Sequence, residues 1–363
     1  MSMYSLFERV ANTADRAPGI ALTRALLRLP AVLYKIGVAL RNKRYSAENP
    51  PLERLDVPVI SVGGLTAGGA GKTPVVRHLA RAISRNGHRA SILSRGYGRR
   101  NAGTAVVSTG AGPQMSWQDA GDEPLLLATT LPGVPVIVGG NRAESGRIAV
   151  RQFQPDVVLL DDGFQHRQLK RDLDIVVVDA SRRDDYLLPA GALREPWSSL
   201  SRADLVVLTR IDQSDRLEET KQQIQAYHPG VPMLETRYRP NGLRRLSDSE
   251  PYPLDHISDM SVMTLAGIAN PGSFERTLRQ LGALTSMTVR YPDHHLFRAT
   301  EVSRAIHQSK QHQCEWVVTT EKDAVRIPLE CERSRILVLD IELEVLSGED
   351  ILEEKLTEIN RMK

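Results

Sequence analysis

Short apolar runs alternate along the chain with segments in which apolar residues recur every three or four positions. Uninterrupted apolar runs of about four to eight residues are typical of strands buried on both faces, and the recurring spacing is typical of helices that pack against them. The first series contains predicted strands at 57–62, 90–93, 134–138, 157–160, 175–178 and 205–209, and predicted helices at 74–86, 142–153 and 213–226. This order predicts a parallel sheet with helices on both faces.

A second alternating series begins at residue 262. It contains predicted strands at 262–265, 286–291, 316–320 and 336–339, and predicted helices at 273–281 and 300–310. The residues between the two series are rich in Pro, Arg and Asp, which is typical of a connector. We therefore predict a core domain at 46–226, a connector at 227–261 and a smaller C-terminal α/β domain at 262–363.

An apolar stripe near the N-terminus predicts an amphipathic helix over residues 20–40, bent at Pro30. The stripe consists of Leu22, Leu26, Leu29, Leu33, Ile36 and Leu40. Residues 1–45 also hold eight Lys and Arg against two acidic residues, a net charge of +6, whereas the other 318 residues sum to −3. Basic residues interrupt the apolar stretch, so it is neither a membrane span nor a signal peptide. The helix either packs on the protein's own core or lies on an anionic membrane surface, and the charge favours the membrane.

The amino-acid composition narrows the class of protein only slightly. The 363 residues are 41% hydrophobic and 25% charged, as in an ordinary soluble protein with a substantial core. The two cysteines, Cys314 and Cys331, have no Cys or His companions at metal-ligand intervals. We interpret them as reduced structural thiols of a cytosolic protein.

A Gly-rich stretch between a predicted strand and a predicted helix is the clearest chemical signal. It consists of Thr66, Ala67, Gly68, Gly69, Ala70, Gly71, Lys72 and Thr73. Such a loop wraps its N–H groups around phosphates, while the lysine reaches the β- and γ-phosphates and the hydroxyl binds Mg²⁺. Thr66 stands where the usual pattern has Gly. The loop predicts a P-loop NTPase-type fold that binds a nucleoside triphosphate and Mg²⁺, without naming the phosphate acceptor.

Carboxylates at two further places could serve this chemistry. Asp161 and Asp162 end an apolar strand, the position from which an acid reaches the Mg²⁺ of a phosphate-loop enzyme. Asp161 is assigned to the metal, and Asp162 is left open between metal and substrate. Asp122 lies between predicted elements and could accept a proton from an attacking hydroxyl. Spacing alone does not distinguish Asp122 from an ordinary turn residue.

Two other stretches allow alternatives. Asp293, His294 and His295 follow a predicted strand, where they could assist a carboxylate base, bind a metal or form a solvated loop. Residues 209–212, Thr-Arg-Ile-Asp, are weakly similar to the guanine-reading element of GTPases. A GTPase or another NTP-driven switch is therefore the alternative function.

Taken together, these motifs resemble those of the tetraacyldisaccharide 4′-kinase family, the lipid A 4′-kinases of Gram-negative bacteria. The matching stretches are Val-Gly-Gly-Leu-Thr-Ala-Gly-Gly-Ala-Gly-Lys-Thr-Pro at 62–74, Ser-Arg-Gly-Tyr-Gly at 94–98, Gly-Asp-Glu-Pro at 121–124, Asp-Asp-Gly-Phe-Gln-His at 161–166, Leu-Arg-Glu-Pro at 193–196, Gly-Ile-Ala-Asn-Pro at 267–271, Asp-His-His at 293–295 and Thr-Thr-Glu-Lys-Asp-Ala-Val at 319–325. They follow the family's order from about residue 20 to residue 330, and the family's own loop has Thr at the Thr66 position. Gly64 departs from the family, in which Asn is expected.

The resemblance implies transfer of the γ-phosphoryl group of ATP, with Mg²⁺, to the 4′-hydroxyl of a tetraacylated glucosamine disaccharide 1-phosphate. It implies that Asp122 is the base, paired with His294 or its neighbour His295, and that Lys72 serves the phosphates. The implied metal candidates are Thr73, Asp161, Asp162 and Glu195. The implied nucleotide or sugar candidates are Tyr97, Gln165, His166 and Arg194.

The resemblance also gives the basic N-terminal segment, residues 1–45, a reason to bind membranes. An acylated substrate stays in the bilayer, so the enzyme must come to it. We therefore expect a peripheral protein on the cytoplasmic face of the bacterial inner membrane. The expected partners are the lipid substrate and an anionic membrane surface, with no nucleic acid and no protein partner implied.

Overall fold

The strands join into one continuous sheet. The computed structural model describes residues 9–10, 17–48, 50–183 and 186–361. Its strands are β1 Val59–Gly64, β2 Ala90–Ser94, β3 Ala105–Ser108, β4 Val136–Val138, β5 Val157–Asp161, β6 Leu173–Asp179, β7 Leu205–Thr209, β8 Met233–Arg245, β9 Pro251–Tyr252, β10 Ser261–Ala266, β11 Leu284–Arg290, β12 Trp316–Thr320 and β13 Ile336–Ser347.

The helices flank this sheet, apart from the first. They are α1 Pro18–Tyr45, α2 Lys72–Arg85, α3 Trp117–Ala120, α4 Asp122–Thr130, α5 Arg142–Phe153, α6 Leu217–Tyr227, α7 Pro271–Gln280, α8 Ala299–Gln311, α9 Glu321–Ala324 and α10 Glu349–Asn360. Short 3₁₀ turns lie at Trp197–Arg202, Ile211–Gln213 and Leu254–Ile257.

A first lobe is formed by β1–β7, the start of β8 and their helices. Its strands run in the order β3-β4-β2-β5-β1-β6-β7-β8, and all neighbouring pairs except β3–β4 are parallel. Alternate residues of β6 and β7 belong to different apolar clusters on the two faces of the sheet. The predicted parallel sheet with helices on both faces is confirmed.

A second, smaller lobe is formed by β10–β12, the start of β13 and helices α7–α9. Its strands run in the order β11-β10-β12-β13, all parallel. Apolar residues of β10 and α8 share its core with Cys314 and Cys331, which are free, buried thiols. The prediction of a second, smaller α/β unit is confirmed, and the two thiols contribute to packing.

The two lobes meet along an antiparallel ladder between β8 and β13. Strand β8 begins beside β7, with Met233 opposite Val206, and ends with Arg245 opposite Leu337 of β13. Strand β13 then runs back until Ser347 lies opposite Glu235. Because β8 leaves the first lobe at the carboxyl ends of its strands, and β13 returns parallel to β12, the carboxyl ends of both parallel groups face each other. Loops that follow strands in the two lobes are thereby brought to one place.

The ladder occupies the expected connector. Strand β8 alternates between more and less buried residues, and its outer side chains pair with those of β13, as Arg237 does with Glu344 at 2.6 Å. A strand with one wet face carries alternating polar residues, so it lacks the continuous apolar run used to predict the other strands. The last helix, α10, falls within the domain predicted at 262–363 but packs on the first lobe. Its residues Leu352, Leu356 and Ile359 belong to the core of that lobe.

Helix α1 continues through Pro30 as a single helix. Its predicted stripe is not packed against the protein: Leu22, Leu26, Leu29, Leu33, Ile36 and Leu40 are 51–73% exposed. Polar contacts hold the opposite side, where Tyr34 donates to the carbonyl of Arg194 at 2.9 Å. Among the described residues, no helix is both long and apolar enough to cross a bilayer.

A buried ion pair links the lobes behind the ladder. The Arg77 guanidinium on α2 lies 2.7 Å from Glu321 Oε1 at the start of α9, and it also donates to the carbonyl of Ile341 on β13. Both side chains are buried. A charge in such a site is stable only with its partner.

Replacing Glu321 by Ala should therefore lower the free energy of unfolding by about 3–5 kcal/mol, since the Arg77 charge would stay buried and unpaired. Urea titration followed by circular dichroism measures this change. The matched control is Glu332→Ala, which removes the exposed pair with Lys310 and should cost roughly 0–1 kcal/mol. Equal losses for the two variants would contradict the assignment of Arg77–Glu321 as a structural link.

Candidate active site

The Gly-rich loop has the backbone that an anion cradle requires. Gly68, Gly69 and Gly71 have φ values of 74°, 51° and 84°, a region that favours glycine, and Gly71 is the N-cap of α2. The start of the loop is fixed to a second segment, because the Ala67 N–H donates to the carbonyl of Ala192 at 2.8 Å and Thr66 forms an isolated bridge with Leu193. Residues 66–71 of the predicted loop thus lie between β1 and α2, and Lys72 and Thr73 are the first two residues of α2.

Lys72 already has an anionic neighbour. Its Nζ lies 3.3 Å from Oδ1 of Asp162, whose Oδ2 accepts a hydrogen bond of 2.7 Å from Arg194. Burial by itself would raise the pKa of Asp162, but Lys72 and Arg194 outweigh it and hold that pKa well below its usual range. The arrangement joins three predicted residues, Lys72, Asp162 and Arg194, in one charged chain.

Asp161 has the opposite environment. It is buried at the end of β5, where Oδ2 accepts from the Ser94 hydroxyl at 2.9 Å and Oδ1 has no hydrogen-bond partner among the described residues. Burial, together with Glu123 and Asp162 nearby, raises the pKa of Asp161 to about 7. A cation beside it would favour the ionised form and occupy the unused oxygen.

These carboxylates suit Mg²⁺ bound chiefly through phosphates. In the described part of the chain, no group of three or more His, Cys, Asp or Glu side chains could hold a metal ion by itself. Mg²⁺ commonly takes only one or two protein carboxylates and completes its octahedron with water and phosphate oxygens. Asp161 and Asp162, together with the predicted Thr73 hydroxyl, match that requirement.

Asp122 and His294 meet across the two lobes. Asp122 is the first residue of α4, and Gly121 before it has φ 91°. Its Oδ2 lies 2.7 Å from Nδ1 of His294, which follows β11, and its Oδ1 accepts from the Glu123 N–H at 2.9 Å. Burial by itself would raise the pKa of Asp122, but the His294 hydrogen bond, Lys322 and Arg326 lower it to about 2. Asp122 is therefore an ionised, oriented carboxylate.

The choice between the two histidines follows from this geometry. His295 turns its Nε2 toward Glu301, at 2.9 Å, and stacks on the ring of Tyr291. Of the two rings, the structure places His294 against Asp122.

Two openings converge on these groups. The inner cavity, of about 210 Å³, lies between the Gly-rich loop and the second lobe, and its walls include Thr73, Leu126, Thr130, Arg210, Gln213, Tyr238, Phe274 and Glu321. The outer cleft, of about 1390 Å³, is open toward α1, and its walls include Arg24, Tyr97, Asp161, Asp162, Tyr186, Arg194 and His294. Lys72, Glu123 and Asp293 line both, so the openings meet at Lys72 and beside the Asp122–His294 pair.

The remaining predicted nucleotide or sugar residues lie at different depths. Tyr97 is exposed on the wall of the outer cleft, with its ring centroid 5.7 Å from that of His294. Gln165 Nε2 donates to the carbonyl of Gly64 at 3.0 Å, which ties it to the end of β1. His166 lines neither opening, and burial with Arg142 and Arg171 nearby lowers its pKa to about 4. His166 is thus a neutral ring beneath the site.

Glu195, unlike the other metal candidates, lines neither opening. Its fully buried carboxylate accepts from Arg41 at 2.9 Å and Asn42 at 3.1 Å, both on α1, and from Arg202 at 3.0 Å. These donors occupy both oxygens, so Glu195 attaches α1 to the first lobe. The motif at 193–196 suggested a metal ligand. It did not indicate that the Glu195 carboxylate pairs with the basic N-terminal segment.

Several residues that face the site had no predicted role. Glu123 neighbours Asp122 in sequence, and Lys322 and Arg326 follow β12 in the quoted stretch at 319–325 or just beyond it. Lys322 Nζ lies 3.3 Å from both Glu123 and Asp293, and Arg326 lies 3.7 Å from Asp122. Their motif could have marked them, but no spacing rule connects residue 322 with residue 122.

The structure also shows the surroundings of Gly64, which departs from the expected family pattern, and of Arg210. At Gly64 a Cβ would lie 3.1 Å from the carbonyl oxygen of Val177 and 3.9 Å from Cδ of Lys72, so a side chain there would lie beside the lysine stem. Arg210, of the GTPase-like stretch, is paired with Asp179 and donates to the carbonyl of Gly69 at 2.9 Å. Arg210 thus supports the Gly-rich loop.

Comparison with known proteins gives consistent matches over nearly the whole chain. Residues 23–361 match the family model described as LpxK, tetraacyldisaccharide-1-P 4′-kinase. A tetraacyldisaccharide 4′-kinase of Anaeromyxobacter dehalogenans is 42% identical over 340 residues, 92% of this chain and 90% of the relative. One of Syntrophus aciditrophicus is 38% identical, covering 94% of this chain and 93% of the relative. The crystal structure of LpxK from Aquifex aeolicus in complex with ATP superposes with a TM-score of 0.76 at 32% identity, covering 93% of this chain and 99% of that one.

The loop geometry yields a direct test. A Cβ added to Gly71 would lie 1.6 Å from the Tyr238 hydroxyl, so Gly71→Ala must displace Tyr238 or the loop. We expect Gly71→Ala to lose binding of a fluorescent ATP analogue. The control, Gly87→Ala, has a similar φ of 79° but open space around the new methyl group. It should cost about 1–2 kcal/mol of stability and leave nucleotide binding intact, whereas normal binding by Gly71→Ala would contradict the cradle.

Proposed function

Because the chain belongs to the tetraacyldisaccharide-1-P 4′-kinase family, we propose that it transfers the γ-phosphoryl group of ATP to the 4′-hydroxyl of a tetraacylated glucosamine disaccharide 1-phosphate, in lipid A biosynthesis. The observation that carries this proposal is the position of the Asp122–His294 pair. His294 lines the larger cleft, and Glu123 and Asp293, the chain neighbours of the pair, line both that cleft and the opening beside the Gly-rich loop. A switch that hydrolyses its nucleotide has no need of that second cleft.

The chain's own groups account for the handling of the phosphates. The N–H groups of residues 68–73 and the N-terminus of α2 form the anion cradle, and Lys72 supplies a mobile positive charge. Before nucleotide binds, Lys72 is held by Asp162, which shares its charge with Arg194. We propose that the triphosphate competes with Asp162 for Lys72.

Mg²⁺ would be held by the Thr73 hydroxyl and by Asp161 and Asp162, with phosphate oxygens and water. When bound, it neutralises charge on the β- and γ-phosphates during transfer. The buried, unpartnered oxygen of Asp161 supports this assignment. Glu195, whose oxygens are occupied by Arg41, Asn42 and Arg202, is not included.

Asp122 is the proposed base. A sugar hydroxyl must lose its proton as it attacks phosphorus, and an oriented carboxylate can accept that proton. The low pKa of Asp122 keeps it ionised at neutral pH, and His294 fixes its orientation. Acceptance of the proton is coupled to formation of the new O–P bond, as the acidity of the hydroxyl rises in the transition state.

The two openings suggest where each substrate lies. The inner cavity continues from the Gly-rich loop toward Gln213 and Phe274, which suits the sugar and base of the nucleotide. The outer cleft reaches from Lys72 to Arg24 and Tyr186 beside α1, which suits a disaccharide head group whose acyl chains extend to the membrane.

We also propose that α1 binds the cytoplasmic face of the inner membrane. Its leucine stripe is exposed, while its polar side is attached to the first lobe through Tyr34, Arg41 and Asn42. An exposed apolar stripe with basic flanks is the pattern of a helix that lies in an anionic membrane surface. Packing against the protein's own core, the alternative for this helix, is not what the exposure supports.

The proposed base can be tested by Asp122→Asn. This variant keeps the shape of the side chain but loses the proton acceptor, so kcat should fall by about 100- to 10,000-fold while the KM for ATP changes little. The measurement is phosphorylated lipid formed from Mg-ATP and the disaccharide. Because the pKa of Asp122 is about 2, it should impose no acid limb on the wild-type rate between about pH 5 and pH 8.

Asp119→Asn, in the preceding helical turn, serves as the matched control and should retain turnover. Near-normal turnover by Asp122→Asn would exclude Asp122 as the base. Preference for GTP over ATP, with no phosphorylated lipid, would instead favour the switch protein.

Deletion of the N-terminal segment would remove Arg41 and Asn42, which donate hydrogen bonds to Glu195. The membrane proposal is therefore tested with substitutions in α1. Leu26→Glu and Leu33→Glu alter side chains that are 70% and 67% exposed, so they should leave the fold intact. Each should weaken binding to phosphatidylglycerol-containing vesicles by about tenfold or more, since a buried leucine contributes about 1.5–3 kcal/mol. Vesicle flotation at two salt concentrations measures binding. Added salt should weaken vesicle binding by the wild-type protein, because it screens the electrostatic attraction.

Leu329→Glu is the control, because Leu329 is 80% exposed but lies in the second lobe. It should bind vesicles as the wild type does. Equal binding by the α1 variants and this control would remove α1 as the membrane contact.

A further inference from the structure

Lys322 is a cation enclosed by the acidic groups around the proposed base. It belongs to α9, at the carboxyl end of β12, and its side chain is largely buried. Its Nζ lies 3.3 Å from Glu123 Oε1, from Asp293 Oδ1 and from Nε2 of the His294 ring. Burial by itself would lower the pKa of Lys322, but Glu123, Asp293 and Asp122 outweigh it and raise that pKa above its usual value. Lys322 is therefore a permanent ammonium.

The two nitrogens of His294 face opposite kinds of group. Nδ1 lies 2.7 Å from Asp122 Oδ2, and an ionised carboxylate can only accept a hydrogen bond, so Nδ1 must carry a proton. Nε2 lies 3.3 Å from the Lys322 ammonium, which can only donate, and 3.6 Å from Asp293 Oδ2, which is beyond hydrogen-bond distance. Nε2 is therefore the acceptor of the hydrogen bond with Lys322. A proton on Nε2 would place two cations in contact. The pair of neighbours permits one form of the ring, neutral with its proton on Nδ1.

From this geometry we propose that Lys322 is a positioning residue for phosphoryl transfer: it holds His294 in the neutral Nδ1–H form that orients the Asp122 carboxylate. This inference rests on the proposed kinase function and deepens it. Lys322 acts on the base through the histidine and need not touch either substrate.

The other groups around the His294 ring show why a cation is needed at Nε2. The His294 ring is faced by Asp122 from α4, by Asp293 from its own loop, by Lys322 from α9 and by the ring of Tyr97. Glu123 pairs with Lys322, and Arg326 lies beside Asp122. Two carboxylates, Asp122 at 2.7 Å and Asp293 at 3.6 Å, lie at the two ring nitrogens, and Lys322 is the cation whose Nζ lies at Nε2. Without Lys322, the charged group left at Nε2 would be the Asp293 carboxylate, which can only accept, so Nε2 would carry a proton as its donor.

A consequence concerns the path of the proton. The substrate proton, once accepted by Asp122, cannot pass to His294, because Nδ1 already carries a proton and Nε2 is occupied by Lys322. The proton leaves through Asp122 itself after transfer. His294 and Lys322 fix the carboxylate in place and are unchanged at the end of the reaction.

The first test uses the unaltered protein, with no assay of activity. Nitrogen-15 labelling of the nine histidines, with His294 identified by the signal missing from His294→Gln, reports the protonation of each ring nitrogen. At pH 7 His294 should show a protonated Nδ1 and an unprotonated Nε2. A ring protonated at Nε2, or at both nitrogens, would overturn the proposal even if the kinase function stands.

The second test uses Lys322→Met and Lys322→Arg. Lys322→Met should gain a proton on Nε2 of His294, lose up to about 100-fold in kcat with a smaller change in the KM for ATP, and acquire an acid limb that the wild type lacks. A charged His294 attracts electron density from Asp122 and makes it a poorer base, which is why the rate should fall as pH falls. Lys322→Arg keeps the cation and should restore both the nitrogen signals and the wild-type pH profile.

Lys310→Met, which removes an exposed lysine paired with Glu332, is the control for loss of a positive charge in the same lobe. A Lys322→Met protein with wild-type His294 signals and no new acid limb would overturn the proposal, whatever its stability. If the chain phosphorylates no lipid but His294 has the expected form in the labelled wild type, the kinase function fails and the ring assignment stands.

Discussion

The antiparallel ladder between β8 and β13 is the constraint on which the rest of the molecule depends. Each lobe is a parallel sheet, and a parallel sheet presents its functional loops at the carboxyl ends of its strands. Because the ladder joins the two parallel groups head to head, the loops after β1, β2 and β5 face those after β10, β11 and β12. The hydrogen bond between Asp122 and His294, residues 172 positions apart, is a direct product of that arrangement.

The charged groups and the burial around each aspartate then give the site's carboxylates different pKa values. Asp161 and Asp162 are neighbours, yet burial raises the pKa of the first to about 7, while Lys72 and Arg194 lower that of the second. Asp122 is also buried, but its hydrogen bond from His294 and nearby cations keep it ionised. One residue type thus supplies an oxygen without a partner among the described residues, an anion that holds Lys72, and a buried carboxylate oriented by His294.

Local patterns predicted the parallel sheets, the loop at 66–73 and the stripe of α1, because each is encoded in consecutive residues. They did not reveal β8, whose wet face carries Arg237 and Arg239 in alternation with less exposed residues, nor the attachment of α10 to the first lobe. Motifs could suggest that Asp122 and His294 belong together, but their distance depends on the ladder. Lys322 and Glu195 each have a partner more than 150 residues away, Glu123 for the first and Arg41 for the second, and no local pattern carries that information.

The two sides of α1 connect the membrane proposal with the site. On its inner side, Tyr34 binds the carbonyl of Arg194 and Arg41 pairs with the next residue, Glu195. The Arg194 guanidinium in turn pairs with Asp162, which holds Lys72. A helix whose outer leucines enter a lipid surface would therefore fix the orientation of the outer cleft, and with it the groups beside the γ-phosphate. In the proposed membrane-bound state, Arg194 and Glu195 would connect α1 with the phosphate site.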